Sequence, residues 1–468
     1  MDVAPTAAEL KRMKVAELRD ECTRRGLDAS GTKVVLISRL EAALVSGGGE
    51  KRKADDAPAP PPVKKEKSKG QMPPVGQIKI GKQDHDLSPQ GELTYLGKLP
   101  KNVDEMRKLL QGIEALPSHW VKTLTFPHGI VSGTGAFLCD YLMRGCPSVT
   151  GLKINEEFGE NCADDEERMV TEGVGRLLRA NRLELLDLSG VGLGFEQSED
   201  NKKTIDALVD GIAASSSLQH LCLSRCSLVG SSAAARLLDA ILRKPAGLYR
   251  LELHQCAFRT NDTRGTPAGP PLVALVDSGK LEHLDIRGAY GDPPTMIGLF
   301  GSIAEGGSKL KTLSIHGADG GLFSNRPPMV PGQRGMPEAV PSEEALAAVA
   351  RAVGKSTSLE DLDLGDCHVL ASDETAAQLA TSLKESAPAA TLQRLCLTKL
   401  QQVVVGPPVR PIVAKKGFGT DGLEALLAAV DGAPSLQRVE LSLPSRHGLP
   451  QATVDALMTH KKIVCDRY

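Results

Sequence analysis

The sequence predicts an α/β solenoid, a long array of short parallel strands each followed by a helix, carried behind a small all-α module on a disordered linker. Three observations lead there. Beyond residue 100, ten segments repeat the spacing L-x-x-L-x-L, too many in register to arise by chance. Helix-patterned stretches such as TIDALVDGIAASSS, SAAARLLDAILRK and SEEALAAVARAVGK follow the strand segments. The 468 residues are 41% hydrophobic but only 3% aromatic, so the core is expected to be aliphatic.

The first ordered unit covers residues 10–44 within a module assigned to 1–45. Val15, Leu18 and Cys22 recur at helical spacing, Gly26 sits where a helix C-cap takes a left-handed residue, and Leu27 follows as its buried contact. After a turn at 28–31, a second helix from Thr32 buries Leu36, Ile37, Leu40 and Leu44 and leaves Lys33 and Arg39 on its polar side. The motifs VAEL at 15–18, RGL at 25–27, SGTK at 30–33 and LISRL at 36–40 resemble the SAP domain of eukaryotic nuclear proteins. Cys22 stands where Leu is more usual, and Thr32 where Lys is common. The resemblance implies binding to DNA, often AT-rich, and sometimes to RNA. Physically, Gly31, Thr32 and the amides opening the second helix can approach a phosphate, while Arg24, Arg25, Lys33 and Arg39 supply positive charge. Such contacts follow the backbone, so weak and salt-sensitive binding is expected.

Residues 46–90 are rich in Pro, Gly, Lys and Asp and read as a disordered linker. Within it, Lys51 and Arg52 form one basic cluster and Lys64, Lys65 and Lys67 another, eleven residues apart, which resembles a bipartite nuclear localisation signal and implies a nuclear protein. Net charge is −2, from 56 Lys and Arg against 58 Asp and Glu, yet residues 1–82 hold 17 of the former and 11 of the latter. The basic end and the acidic remainder should therefore meet different partners. No apolar run is long enough to cross a bilayer and the first residues lack a secretory apolar region, so a soluble intracellular protein with no membrane partner is expected. The scattered cysteines, without CxxC pairs, are expected to be reduced.

The remaining residues, 91–468, hold the array. Its motif segments start at Val121, Val149, Leu183, Leu218, Leu248, Leu281, Leu310, Leu359, Leu392 and Leu436. Several extend further, as in Leu218, Leu221, Leu223, Cys226 and Leu228. The long period resembles the ribonuclease-inhibitor-like class of leucine-rich repeats, which implies a horseshoe with a parallel sheet on the concave face and helices outside. Cys226, Cys256 and Cys367 fall at the buried turn of the repeat and are expected in the core. Helices at 102–116 and 451–463 are expected to cap the ends.

Strand alternation makes the binding face legible. The fourth and sixth motif residues point inward, so the third, fifth and seventh point out of the sheet. In mid-array these are His220, Arg250, Glu252, His254, His283, Asp285, Arg287 and His316, a mixed-charge patch suited to a protein partner. Histidines sharing a row lie two strands, or about 9 to 10 Å, apart, too far to share a metal directly. No nucleophile has an identifiable base and orienter, and no GxxxxGK[ST] loop occurs, so neither catalysis nor a metal or cofactor is expected. Three insertions, at 258–272, 321–341 and 401–419, should emerge on one rim, made basic by Arg259, Arg264, Arg326, Arg334, Arg410, Lys415 and Lys416. The expected function is a noncatalytic nuclear adaptor joining DNA or RNA to a protein. Its alternative, a regulator of a small GTPase, follows from the similar repeats of Ran GTPase activators, against which stand the C-terminal HKKIVCDRY and the SAP-like module. Oligomeric state has no signature in the sequence.

Overall fold

A computed structural model divides the chain into two units, Met1–Gln71 and Met72–Tyr468. It describes residues 13–24 and 40 of the first and, between Gly76 and Arg467, the strands, helices and most short turns of the second. Longer connections, including 155–163, 191–198, 227–231, 259–267, 326–339 and 399–417, lie outside the described residues.

In the first unit, α1 (Val15–Arg24) follows the expected first helix. Leu18 and Cys22, four residues apart, are fully buried on one face, and so is Leu40.

The second unit opens with β1 (Gly76–Ile80), β2 (Gln83–Leu87), β3 (Glu92–Thr94) and α2 (Val103–Glu114). Strand and helix then alternate through β4 (Thr123–Phe126), α3 (Gly135–Arg144), β5 (Gly151–Ile154), α4 (Asp164–Arg179), β6 (Leu185–Asp187), α5 (Glu199–Ala214), β7 (His220–Cys222) and α6 (Ser232–Arg243). Next come β8 (Arg250–Glu252), β9 (Ala257–Phe258), α7 (Gly269–Asp277), β10 (His283–Asp285), β11 (Tyr290–Gly291), α8 (Pro293–Ala304) and β12 (Thr312–Ser314). The chain continues with β13 (Ser324–Asn325), β14 (Val340–Pro341), α9 (Glu343–Lys355), β15 (Asp361–Asp363), α10 (Asp373–Lys384), β16 (Arg394–Leu397), α11 (Thr420–Val430), β17 (Arg438–Leu443), α12 (Gln451–Thr459) and β18 (Ile463–Arg467). Fourteen of these strands form one sheet in the order β1-β2-β3-β4-β5-β6-β7-β8-β10-β12-β15-β16-β17-β18. It is parallel from β3 onward, and β1 and β2 form an antiparallel hairpin at its first edge.

Every L-x-x-L-x-L segment supplies a strand of this sheet, and the register is unbroken. The fourth motif residue of each repeat, from Leu124 through Leu251 and Leu362 to Val439, lies in one continuous row and is at most 2% exposed. Burial of this aliphatic row, against helices whose apolar faces recur at helical spacing, is the main favourable term holding the array together. Cys226, Cys256 and Cys367 are buried as expected, with the Cys226 thiol donating to the Leu188 carbonyl at 3.0 Å and Cys367 to that of Ile315 at 3.4 Å.

A recurrent turn follows four of the strands. The eighth motif residue takes the left-handed conformation at Gly190, Arg225, Gly288 and Asp366, with φ between 56° and 83°. Its amide then donates to the seventh residue of the following repeat: Gly190 to Ser224 at 2.8 Å, Arg225 to His254 at 3.1 Å, Gly288 to His316 at 2.7 Å and Asp366 to Thr398 at 2.7 Å. Three helix ends are closed from the following repeat as well. Arg182 donates to the carbonyls of Met143 and Cys146 after α3, Lys280 to those of Leu242 and Lys244 after α6, and Lys462 to those of Val430 and Ala433 after α11. Each cation satisfies carbonyls that the preceding helix leaves without an intrahelical donor.

Two expectations need correction. The linker does not extend to residue 90, because Gly76–Ile80 and Gln83–Leu87 pair as a hairpin and bury Ile78, Ile80, His85 and Leu87. Alternation of buried and exposed residues there was masked in the sequence by the polar run KQDHD. The closing helix stops at Thr459 rather than 463, and Ile463–Arg467 adds a parallel strand on β17. Asn102 does cap α2, accepting the Glu105 amide at 3.0 Å. No described helix is long and apolar enough to cross a membrane.

Candidate functional site on the concave face

The outward rows are where the sheet carries its chemistry. In register, the third-residue row runs His220, Arg250, His283, Thr312, Asp361, Arg394 and Arg438, and the fifth-residue row Cys222, Glu252, Asp285, Ser314, Asp363, Cys396 and Glu440. Strands about 4.8 Å apart bring neighbours in these rows within reach of one another.

Clusters of ion pairs result. Glu252 accepts from Arg250 Nε at 2.6 Å and from His220 Nε2 at 3.0 Å. Asp285 is bound by Arg287 at 2.7 Å and by His254 at 3.1 Å, and His316 lies 3.7 Å from Asp363. Tyr249 packs its ring edge-on at 4.5 Å from His283, whose Nδ1 shares a 2.6 Å hydrogen bond with Thr312 Oγ1. All eight sequence-predicted patch residues therefore sit on one face, and seven of them, all but His283, join carboxylate contacts.

Charge pairing fixes the ionisation of the acids. The His220 and Arg250 hydrogen bonds hold the Glu252 carboxyl down at about 2 despite its burial. Burial pushes the Asp363 carboxyl up, but His316, the Gly365 amide and the Cys396 thiol bring it to about 2. Asp285 is likewise lowered, its burial outweighed by His254 and Arg287. Burial, seconded by Arg250, lowers the His283 pKa. The guanidinium groups stand outermost, with Arg250 44% and Arg287 49% exposed over carboxylates only 15% and 12% exposed.

The network reaches further than the sequence patch. Arg394 bridges Asp361 at 2.8 Å and Glu440 at 2.9 Å, and Arg438 contacts Glu440 at 2.7 Å. The signal was present: R-x-E recurs at 250–252 and 438–440, at motif positions three and five.

Burial holds the thiols on this face in their protonated form. Burial and the neighbouring Asp187 push Cys222 up to about 12, and burial pushes Cys396 to about 11, so both stay protonated at neutral pH. Glu252, His254 and Asp285 bring possible metal-ligand atoms within 4.8 Å of one another. Both carboxylates already carry an arginine, so a divalent ion would enter a neutralised site, and we assign none.

Of the nucleic-acid candidates, Arg24 closes α1 and pairs with buried Glu21. Arg25, Gly31, Thr32, Lys33 and Arg39 lie outside the described residues, as do Lys51, Arg52, Lys64, Lys65 and Lys67 and the basic residues of the three insertions. Residues 9–45 match the family model of the SAP domain. Curated relatives carry a SAP domain in their names. The human SAP domain-containing ribonucleoprotein is 27% identical over 113 residues, covering 22% of this chain and 51% of that protein. Its rat namesake is 41% identical over 54 residues, covering 12% and 26%. The chain thus spans about half the length, or less, of the curated relatives it matches. Among solved structures, the chain is similar to one in the yeast Rad7 and Elc1 complex (TM-score 0.44, 16% identity, covering 81% of this chain and 76% of that one). It is also similar to the leucine-rich repeat-containing protein LegL7 from Legionella pneumophila (0.38, 17%, covering 78% and 97%) and to an internalin, inlF, from Listeria monocytogenes (0.36, 13%, covering 80% and 86%). The assignment of the larger unit as a leucine-rich-repeat array rests on its own motif and register.

Proposed function

We propose that the protein is a noncatalytic nuclear adaptor, holding DNA or RNA through its SAP domain and a protein partner on the concave face of its repeats. The observation that carries the reading is the presence in one chain of a matched SAP domain at residues 9–45 and, in a separate unit, an ordered, arginine-topped face. The word ribonucleoprotein in the relatives' name supports keeping RNA beside DNA. Thiols held protonated support the absence of nucleophilic chemistry on that face.

The test uses full-length protein. Lys33→Ala with Arg39→Ala should weaken binding to duplex DNA and flatten its salt dependence, by about one unit of slope per lost phosphate contact. Arg250→Ala with Arg287→Ala should leave nucleic-acid binding unchanged while abolishing capture of a nuclear protein partner. Nucleic-acid binding that survives the first pair and fails with the second would refute the division. GTP hydrolysis by Ran should be unaffected by the protein, which separates this reading from a GTPase regulator.

A further inference from the structure

The concave face is not evenly neutralised. Glu252 has Arg250, Asp285 has Arg287, Asp361 has Arg394, and Glu440 has both Arg394 and Arg438, all within 2.9 Å. Asp363 differs. Among the described residues no guanidinium or ammonium pairs with it closely, Arg287 acting on it only at longer range; it accepts from the Gly365 amide at 2.9 Å, meets the Cys396 thiol, and has His316 at 3.7 Å. Asp363 is thus a carboxylate on this face with no close guanidinium or ammonium among the described residues, and its side chain is 23% exposed.

It opens into a trough of about 310 Å³ spanning β8 to β16. The floor is small, Thr312 and Ser314, and the register sets Ser314 directly between Asp285 and Asp363. Arg250 and Arg394 also line the trough, but each is already bonded to a carboxylate, Glu252 for one and Glu440 and Asp361 for the other. Carboxylates on both sides of a hydroxyl floor suit a long side chain that lays an apolar stem along the trough and brings a cation to its end. A phosphate group would instead meet Asp363, while Arg250 and Arg394 are already held by carboxylates, which disfavours nucleic acid here.

We propose that this trough receives one basic side chain, lysine or arginine, of the docked protein, with Asp363 as its counter-ion. The assignment rests on the reading of the concave face as a protein-docking surface, and names the chemistry the partner brings to it. A single buried charge pair of this kind fixes register and partner choice more than it adds affinity.

Random twelve-residue peptides displayed on phage, selected against the immobilised full chain, provide the probe. Selected peptides are then synthesised and titrated by fluorescence anisotropy against the wild type and four full-length variants: Asp363→Asn, Ser314→Lys, Arg250→Ala and Arg287→Ala. Asp363→Asn removes the counter-charge with little change of shape, whereas Ser314→Lys places a tethered cation beside Asp363. Both should weaken binding at least tenfold, and so should replacing the peptide's one required Lys or Arg by Gln. Peptides that lose binding with Arg250→Ala or Arg287→Ala, yet tolerate Asp363→Asn and Ser314→Lys and need no basic residue, would leave the docking face standing and overturn the assignment of the trough. Selection of acidic peptides that bind Asp363→Asn more tightly would overturn it as well. Peptides indifferent to all four changes, or no selected peptide at all, would overturn both readings.

Discussion

Glu252→Gln tests whether the concave network contributes to stability as well as to display. Glutamine keeps the shape and one acceptor oxygen for Arg250 and His220, so the substitution removes charge and little else. With the carboxyl at about 2 in the folded protein against 4.5 ordinarily, the charged form contributes about 3 kcal/mol at neutral pH, at about 1.4 kcal/mol per unit. Arg250 is 44% exposed, and solvent screening reduces this to about 1 to 2 kcal/mol. Because the folded value lies below the unfolded one, the contribution is complete above about pH 4.5 and disappears as pH falls through about 2. Urea unfolding of wild type and variant, followed by circular dichroism in steps from pH 7 to 2.5, should show a difference of about 1 to 2 kcal/mol that shrinks below pH 4.5. A difference that stays flat across that range would show that Glu252 gains nothing from its charge, and the network would have to be read as display alone.

Three further outcomes follow from other parts of the fold. Gly211→Ala should cost about 1 to 3 kcal/mol, read as a lower midpoint of thermal unfolding, because the added methyl would lie 2.8 Å from both Cα and the carbonyl oxygen of Gly175, where α5 crosses α4. Lys280→Met should cost about 1 to 2 kcal/mol by leaving the Leu242 and Lys244 carbonyls without their donor, detectable as faster amide exchange at the end of α6. His85 is fully buried with neither ring nitrogen hydrogen-bonded, and burial lowers its pKa. The unfolded chain therefore binds this proton more readily, stability falls as pH drops below about 6.5, and His85→Phe should remove that dependence from the opening hairpin; an unchanged pH profile would refute it.

Periodicity made the array legible because the inward residues, such as Leu221, Leu251 and Leu284, obey one spacing imposed by a strand too short to vary. The same spacing dictated which residues face outward, so His220, Arg250 and Asp285 could be placed together without coordinates. Partner choice within that face was not legible. Arg394 belongs to both Asp361 on one neighbouring strand and Glu440 on the other, and only the register through 33 and 46 residues of intervening chain reveals it. The opening hairpin was missed for a related reason: His85 is buried in a run of polar residues, where composition suggests solvent. Asp363 obeys the same outward spacing, but its want of a close guanidinium shows only once Arg250, Arg287 and Arg394 are seen to pair with other carboxylates.

The turns and helix ends share a direction. The left-handed residue of one repeat donates to the next repeat, and the Arg or Lys that closes a helix arrives from the repeat after it. At these turns and helix ends each repeat is thus finished by its successor. On a ribosome, which delivers the chain from its N-terminus, a newly emerged repeat must wait about one repeat's length of further synthesis before its last carbonyls find donors. Folding during synthesis should trail elongation by that interval, and a stalled or shortened chain would expose one unfinished helix end, always at its growing edge.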